Sequence, residues 1–316
     1  MTQANDERSL AIRAAWLHYQ GGLTQAAVAE RLGLTSVKAH RLIARALAEG
    51  HVKITIEGDI VECVELENEL RTRFALDFCT VAPDLEEEGQ PLRALGLAGA
   101  NYLRREIENR THEVIGLGHG STLAAVVQHL PRMSVEHVKF VSLLGNVTPD
   151  YAVNPHDVMH SIAAKTGARA HVLPVPFFAN SAEDREVLLA QHGVRDILDL
   201  ANQAGLKIAG VGTVGSSATL AVSRMLEPRE IKAIQADGGI GEMLGHFFDK
   251  HGRVLQTALT ARTVSALLKG SGSDQIVAIA GGKDKQEAIH AVLQSRRLRG
   301  LITDERTAKA LLAIQQ

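Results

Sequence analysis

The chain is expected to be an α/β protein in two parts: an N-terminal helix-turn-helix domain over residues 1–58, and a large parallel-sheet domain over 59–316 that includes a linker helix at 59–74. Three observations predict this. Leu23 to Gly50 (LTQAAVAERLGLTSVKAHRLIARALAEG) has the spacing of two amphipathic helices meeting at a corner. From Phe78 onward, short apolar runs alternate with helical stretches, the pattern of a parallel sheet covered on both faces. At 316 residues the chain is too long for one small domain and suits a small head on a large body.

In the corner, Val28, Leu32, Leu34, Leu42 and Leu47 supply the apolar faces, and Ala29 lets the helices approach where they cross. Gly33 follows the first helix, where positive φ can redirect the chain. Thr24 is placed to cap the first helix and Thr35 or Ser36 the second. Leu10, Ala14 and Leu17 mark a preceding helix over 9–20, and Val52, Ile54 and Ile56 alternate as a short wing or connecting strand would. The second helix carries Lys38, His40, Arg41 and Arg45 outward, as a helix entering the DNA major groove does. The candidate DNA-binding residues are Thr24, Gln25, Thr35, Ser36, Lys38, His40, Arg41 and Arg45. A plain helical hairpin would also place Ala and Gly at its corner.

Charge supports a local DNA surface. Residues 1–58 hold seven Lys/Arg against five Asp/Glu, leaving 27 basic and 31 acidic residues in the remainder. A head of net +2 on a body of net −4 excludes generic polyanion binding by the whole molecule. Cys63 and Cys79 lack metal-type spacing and read as free thiols of a reducing compartment. No apolar run is long enough for a membrane span and the N-terminus is polar, so a cytoplasmic protein is expected.

Asp59 to Phe74 is an acidic helix whose apolar face would be Val61, Val64, Leu66 and Leu70; it could pair with its copy in another subunit or be a solvated face. Strands are expected at 78–82, 112–118, 137–145, 168–175, 206–212, 275–282 and 299–303. Helices are expected at 91–110, 121–130, 154–166, 182–203, 228–236, 284–295 and 304–313.

Ligands of such a sheet bind at the C-terminal ends of its strands. The richest loop there is Gly116-Leu117-Gly118-His119-Gly120-Ser121-Thr122. Its glycines admit an anion to the backbone, Ser121 and Thr122 add hydroxyls, and the start of the next helix adds N–H groups. The spacing is neither the dinucleotide fingerprint nor Walker A. A tight turn without a ligand would look the same. Gly145-Asn146, Gly212-Thr213, and Lys285 beyond Gly281-Gly282 stand at other strand ends; Asp237 and Glu242 lie in a flexible glycine loop, and His156 begins a helix. The candidate effector residues are therefore Gly118, His119, Gly120, Ser121, Thr122, Gly145, Asn146, His156, Gly212, Thr213, Asp237, Glu242 and Lys285, suited to a small polyol, sugar or sugar phosphate. His156 and His160 have metal-ligand spacing, but Asp157 stands where a zinc protease needs Glu, so neither metal nor cofactor is expected.

Over residues 10–312 the chain resembles the SorC/DeoR-type sugar-binding transcriptional regulators. The resemblance is carried by LTQAAVAERLGL, GLGHGSTLAAV, GVGTVGSS, GGIGEMLGHFFDKHG, AGGKDKQEAIHAVL and LITDERTAKALL in one order. Around WLHY, SVKAHRLIA, NPHDVMH and PVPFFANSAEDREVLLAQ it is most similar to regulators of erythritol catabolism. The resemblance implies an effector domain of the sugar-phosphate isomerase type, assembled as homodimers or homotetramers. The chain departs from the family pattern at His40 (usually Ser), Gly205 (commonly Asp) and Glu242 (usually Asp). The reading is a non-enzymatic repressor that binds operator double-stranded DNA under effector control. The rival is a sugar-phosphate isomerase with an N-terminal extension, using Asp237, Glu242 and Lys285 as acid/base groups.

Overall fold

The computed structural model describes residues 3–52, 60–146, 157–215, 225–268 and 275–314. The chain forms two compact units, Met1–Gly58 and Asp59–Gln316.

The first unit contains α1 (Gln3–Tyr19), α2 (Gln25–Leu32) and α3 (Ser36–Ala48). Alanines dominate its core: Ala11, Ala14, Ala15, Ala29, Ala39 and Ala46 pack with Val28, Leu42 and Ile43. Small side chains at the crossings allow close helix approach. The expected caps form. Thr24 accepts the Ala27 N–H at 3.2 Å and Thr35 the Lys38 N–H at 3.3 Å. Gly33 has φ 64° and donates to Glu30 O, while Leu34 donates to Ala29 O, a reciprocal C-terminal cap. α1 starts six residues before the expected 9. Leu47 is exposed rather than buried; Ile43 and Ala46 complete the core at its place. Val52 packs half-buried on this core; the remainder of the expected wing lies outside the described residues.

The second unit is built on a seven-stranded parallel sheet. Its strands are β1 (Phe78–Ala82), β2 (Val114–Leu117), β3 (Lys139–Asn146), β4 (Arg169–Pro176), β5 (Leu206–Ala209), β9 (Ile276–Ile279) and β10 (Leu298–Asp304), in the order β1-β10-β9-β5-β2-β3-β4. A three-stranded antiparallel sheet joins β6 (Gly212–Thr213), β7 (Gly239–Met243) and β8 (His246–Asp249). The main helices are α4 (Val61–Phe74), α5 (Leu92–Glu108), α6 (Ser121–His129), α7 (Val158–Thr166), α8 (Ala182–Leu189), α9 (Val194–Gln203) and α10 (Pro228–Ala236). A short α11 (Ala258–Ala261) precedes α12 (Gln286–Gln294) and α13 (Glu305–Ala313).

Successive strand residues serve opposite layers. Val277 and Ile279 pack with Leu103, Val126 and Ile162, under α5, α6 and α7. Ile276 and Ala278 pack with Phe74, Ala201, Ile289 and Leu311, under α4, α9, α12 and α13. Burial on both faces explains the near-continuous apolar runs.

Several expectations are corrected. The helix at 182–203 is two helices, separated where Gly193 takes φ 79°. The strand at 206–212 ends at Ala209, and Gly212–Thr213 belongs to the second sheet. The glycine loop carrying Glu242 is strand β7, turned into β8 at Leu244 and Gly245, both with positive φ. Gly241 is required there by contact: a Cβ would stand 2.8 Å from the Ala288 carbonyl. The α4 face is also rotated. Val61 is exposed, and Cys63, Leu70 and Phe74 are buried against β1 and α13. Glu67 of α4 accepts the Val81 N–H at 2.8 Å, covering the edge of β1. Both cysteines are buried and free.

Candidate functional site

In the first unit, the face of α3 away from the core carries Val37, Lys38, His40, Arg41, Ala44 and Leu47. Val37 is 79% exposed in the first turn, a position missed in sequence because an apolar residue there fits no amphipathic phase. At a groove it would suit a thymine methyl. Thr24 and Thr35 accept backbone N–H groups with their lone pairs, so their hydroxyl protons remain available to a phosphate. Ser36 is exposed at the start of α3. Gln25, first in α2, reaches His40 with Oε1 3.0 Å from Nδ1. Arg41 stands 3.9 Å from Glu7 and is largely exposed. Arg45 is engaged on both sides, by Glu7 at 3.0 Å and Glu49 at 2.6 Å. That hydrogen bond from Arg45 holds the Glu49 carboxyl below its usual range.

In the second unit, β3 and β4 lie to one side of β2, whereas β5, β9 and β10 lie to the other. The strand order therefore reverses between β2 and β5, and a crevice outside the carboxyl ends of these strands is where such sheets bind ligands. Gly118-His119-Gly120 leave β2 at this point. Gly120 has φ 112° and ψ 172°, a region open to glycine, and no side chain caps α6. The first-turn N–H groups of α6, from Ser121 and Thr122 onward, thus lack intrahelical acceptors.

His119 joins the loop to β3. Ser142 Oγ donates to Leu144 O at 2.6 Å, so it accepts from His119 Nε2 at 3.3 Å. His119 Nδ1 is then an acceptor; it is buried and has no hydrogen-bond partner among the described residues. Burial holds the imidazole below its ordinary pKa, favouring this neutral form.

A second wall, beyond the carboxyl ends of β5 and β9, carries Glu242 and Lys285. Glu242 is the register partner of Gly212 and accepts the Gly245 N–H at 2.6 Å. Burial pushes its carboxyl up to about 7, against the pull of Gly245 and Lys285. Lys285 ends a 3₁₀ turn, Lys283–Lys285, that packs on β6. Its ammonium is lowered by burial and partly restored by Glu242. Thr213 is half-buried beside this wall.

Two supporting residues were missed in sequence. Asp304, buried at the end of β10, accepts from Thr307 N at 3.0 Å and Thr307 Oγ1 at 2.6 Å. Thr307 Oγ1 in turn accepts the Gly282 N–H at 2.9 Å, bracing the turn that carries Lys285. The only signal was Asp304 three residues before a threonine at a helix start. Gln90 accepts from Ser121 Oγ at 3.3 Å and lies over Gly282, bridging two glycine turns far apart in sequence.

Other candidates stand apart. Asp237 is exposed at the C-terminal cap of α10, before the Gly238 turn that leads into β7. The electrostatic partners of Glu242 and Lys285 are each other and the Gly245 N–H, and Asp237 is not among them. Gly145 is buried beneath Pro176, where a Cβ would stand 2.5 Å from the carbonyl oxygen, so its glycine serves packing. Asn146 is exposed at the end of β3. His156 lies outside the described residues, and Asp157 caps α7 by accepting His160 N–H at 2.9 Å. Among the described residues no group of three or more His, Cys, Asp or Glu is placed to hold a metal, and no helix is long and apolar enough to cross a membrane.

Residues 58–313 match the family model described as "Putative sugar-binding domain". The chain is 60% identical over 312 residues to the erythritol catabolism regulatory protein EryD of Brucella abortus (strain 2308), covering 99% of this chain and 98% of that one. It is 31% identical to the transcriptional regulator LsrR of Klebsiella pneumoniae subsp. pneumoniae, covering 98% and 94%. The full-length sorbitol operon regulator SorC of Klebsiella pneumoniae superposes with a TM-score of 0.71 at 25% identity, covering 97% of this chain and 99% of that chain.

Proposed function

The chain belongs to the sugar-binding family of SorC/DeoR-type transcriptional regulators, and from that premise we propose that it is a cytoplasmic repressor of an erythritol-type catabolic operon. Like its relatives it is a regulator and not an enzyme. The effector is a four-carbon polyol or its phosphate, bound between the Gly118–Thr122 loop and the Glu242–Lys285 wall. What supports this reading is the pairing of opposite chemistries at the carboxyl ends of the strands, around the point where their order reverses. An uncapped helix start and Lys285 suit an anionic ester, whereas Glu242 and the unpartnered His119 Nδ1 suit hydroxyl donors.

The helix-turn-helix is the output. Lys38, His40 and Arg41 contact bases or phosphates, with Val37 beside them and Gln25, Thr24, Thr35 and Ser36 at the rim. Arg45 ties α3 to Glu7 of α1 and to Glu49, and reaches phosphate only by releasing them. A head of net +2 binds weakly alone, so two copies act together as a homodimer or homotetramer on half-sites spaced by whole helical turns.

Thermal melting of the full chain with four- to six-carbon polyols and their phosphates tests the effector. A stabilising shift is expected for erythritol or its phosphate, lost in Lys285→Ala. No shift with any of these compounds would overturn the assignment.

A further inference from the structure

We infer that His40 reads an exocyclic amino group in the operator's major groove, N6 of adenine or N4 of cytosine, because Gln25 fixes the ring proton on Nδ1. The inference rests on the proposed docking of α3 in that groove.

The argument is one of lone pairs. His40 Nδ1 lies 3.0 Å from Gln25 Oε1. A carboxamide oxygen only accepts, so Nδ1 carries the hydrogen in this contact. A neutral imidazole protonated at Nδ1 presents a lone pair at Nε2, on the other side of the ring. Among the described residues no hydrogen bond occupies Nε2, and both side chains belong to exposed residues. In the major groove only adenine N6 and cytosine N4 donate; guanine offers N7 and O6, and thymine O4, all acceptors. An Nε2 acceptor therefore discriminates against guanine and thymine, whereas an Nε2 donor would do the reverse.

The pair is held by rigid structure. Gln25 opens α2 directly after its Thr24 cap, and His40 is the fifth residue of α3, which starts at the Thr35 cap. The Gly33 turn and the buried Val28, Ala29, Ala39 and Leu42 lock the two helices together. Gln25 is thus a positioning residue that acts through His40.

The test is selection of bound sequences from a double-stranded DNA pool with a randomised core, using the full chain at about pH 8, above the ordinary histidine range. Wild type is expected to enrich one base pair at one His40-dependent position per half-site, read through its adenine N6 or cytosine N4. His40→Ala should lose that preference there alone. Gln25→Leu cannot accept the ring proton, so both tautomers compete and guanine enters at that position. Gln25→Glu still accepts and should retain the wild-type preference. At an enriched adenine, purine lacking the N6 amino group should weaken wild-type binding about tenfold and leave His40→Ala unchanged. Wild-type binding unaffected by removal of the amino group from the enriched pair, by purine for adenine or pyrimidin-2-one for cytosine, overturns the inference, as does an unaltered preference in folded Gln25→Leu. If neither His40→Ala nor Arg41→Ala changes any position, the docking of α3 in the groove fails, and the inference with it.

Discussion

Glu242 leans over Gly212: the two are register partners of β7 and β6, and a Cβ built on Gly212 would stand 2.6 Å from Glu242 Oε2. Gly212→Ala should therefore push the carboxylate aside without breaking the strand, because the obstructing atom ends a flexible side chain. Polyol binding is expected to weaken about tenfold by titration calorimetry, with operator affinity in the absence of ligand unchanged. Unaltered polyol affinity would remove Glu242 from the binding wall.

The same carboxyl makes stability depend on pH. Its pKa rises on folding from an ordinary 4.5 to about 7, chiefly through burial. The folded chain binds this proton more tightly than the unfolded chain does, so the contribution is full at low pH and is lost as pH climbs from about 4.5 through about 7. Glu242→Gln should match wild type below about pH 4 and exceed it above about pH 7 by up to about 3 kcal/mol, measured by urea unfolding. Parallel curves for the two proteins across that range would refute the burial of this group.

Asp304 acts from beneath the site. Its two bonds to Thr307 cap α13, and Thr307 holds the Gly282 amide. Asp304→Ala should lower unfolding stability by about 1–3 kcal/mol, the range for losing a helix cap and leaving buried donors unpaired. It should also weaken phosphate-ester binding, since Lys285 follows the braced turn. A loss of stability with ester affinity intact would confine Asp304 to a fold role.

Arg41 is an exposed cation of α3, and its removal is expected to abolish the operator shift in a mobility assay while the polyol melting response persists. Normal operator affinity in Arg41→Ala would sink the DNA assignment.

Glu7 lies beside Arg41 and Arg45, where on the proposed DNA-binding face it would compete with phosphate for both. Surface ion pairs of this kind are weak. Glu7→Gln should nonetheless raise non-specific DNA affinity several-fold at low salt and steepen the salt dependence by up to about one counterion. An unchanged slope would show that neither arginine is withheld from DNA.

Much of this protein was determined by its sequence alone. Local chemistry suffices for the head: threonine caps, the Gly33 turn and the alanine-lined corner all act within a few residues, and each forms as expected. The parallel sheet was likewise readable from doubly buried apolar runs, and the Gly118–Thr122 loop from its place after β2. Tertiary structure decided what depends on contacts distant in sequence. Glycines of β7 look like loop residues until Ala288 is found pressed against Gly241, and Leu47 looks like core until Ile43 and Ala46 fill its place. Gly212, Glu242 and Lys285 come together from β6, β7 and the turn after β9, and Asp304 and Gln90 flank that turn from opposite ends of the domain's sequence. Side-chain period and capping are short-range and visible along the chain. Steric exclusion, burial and the pKa they impose arise only when remote segments meet.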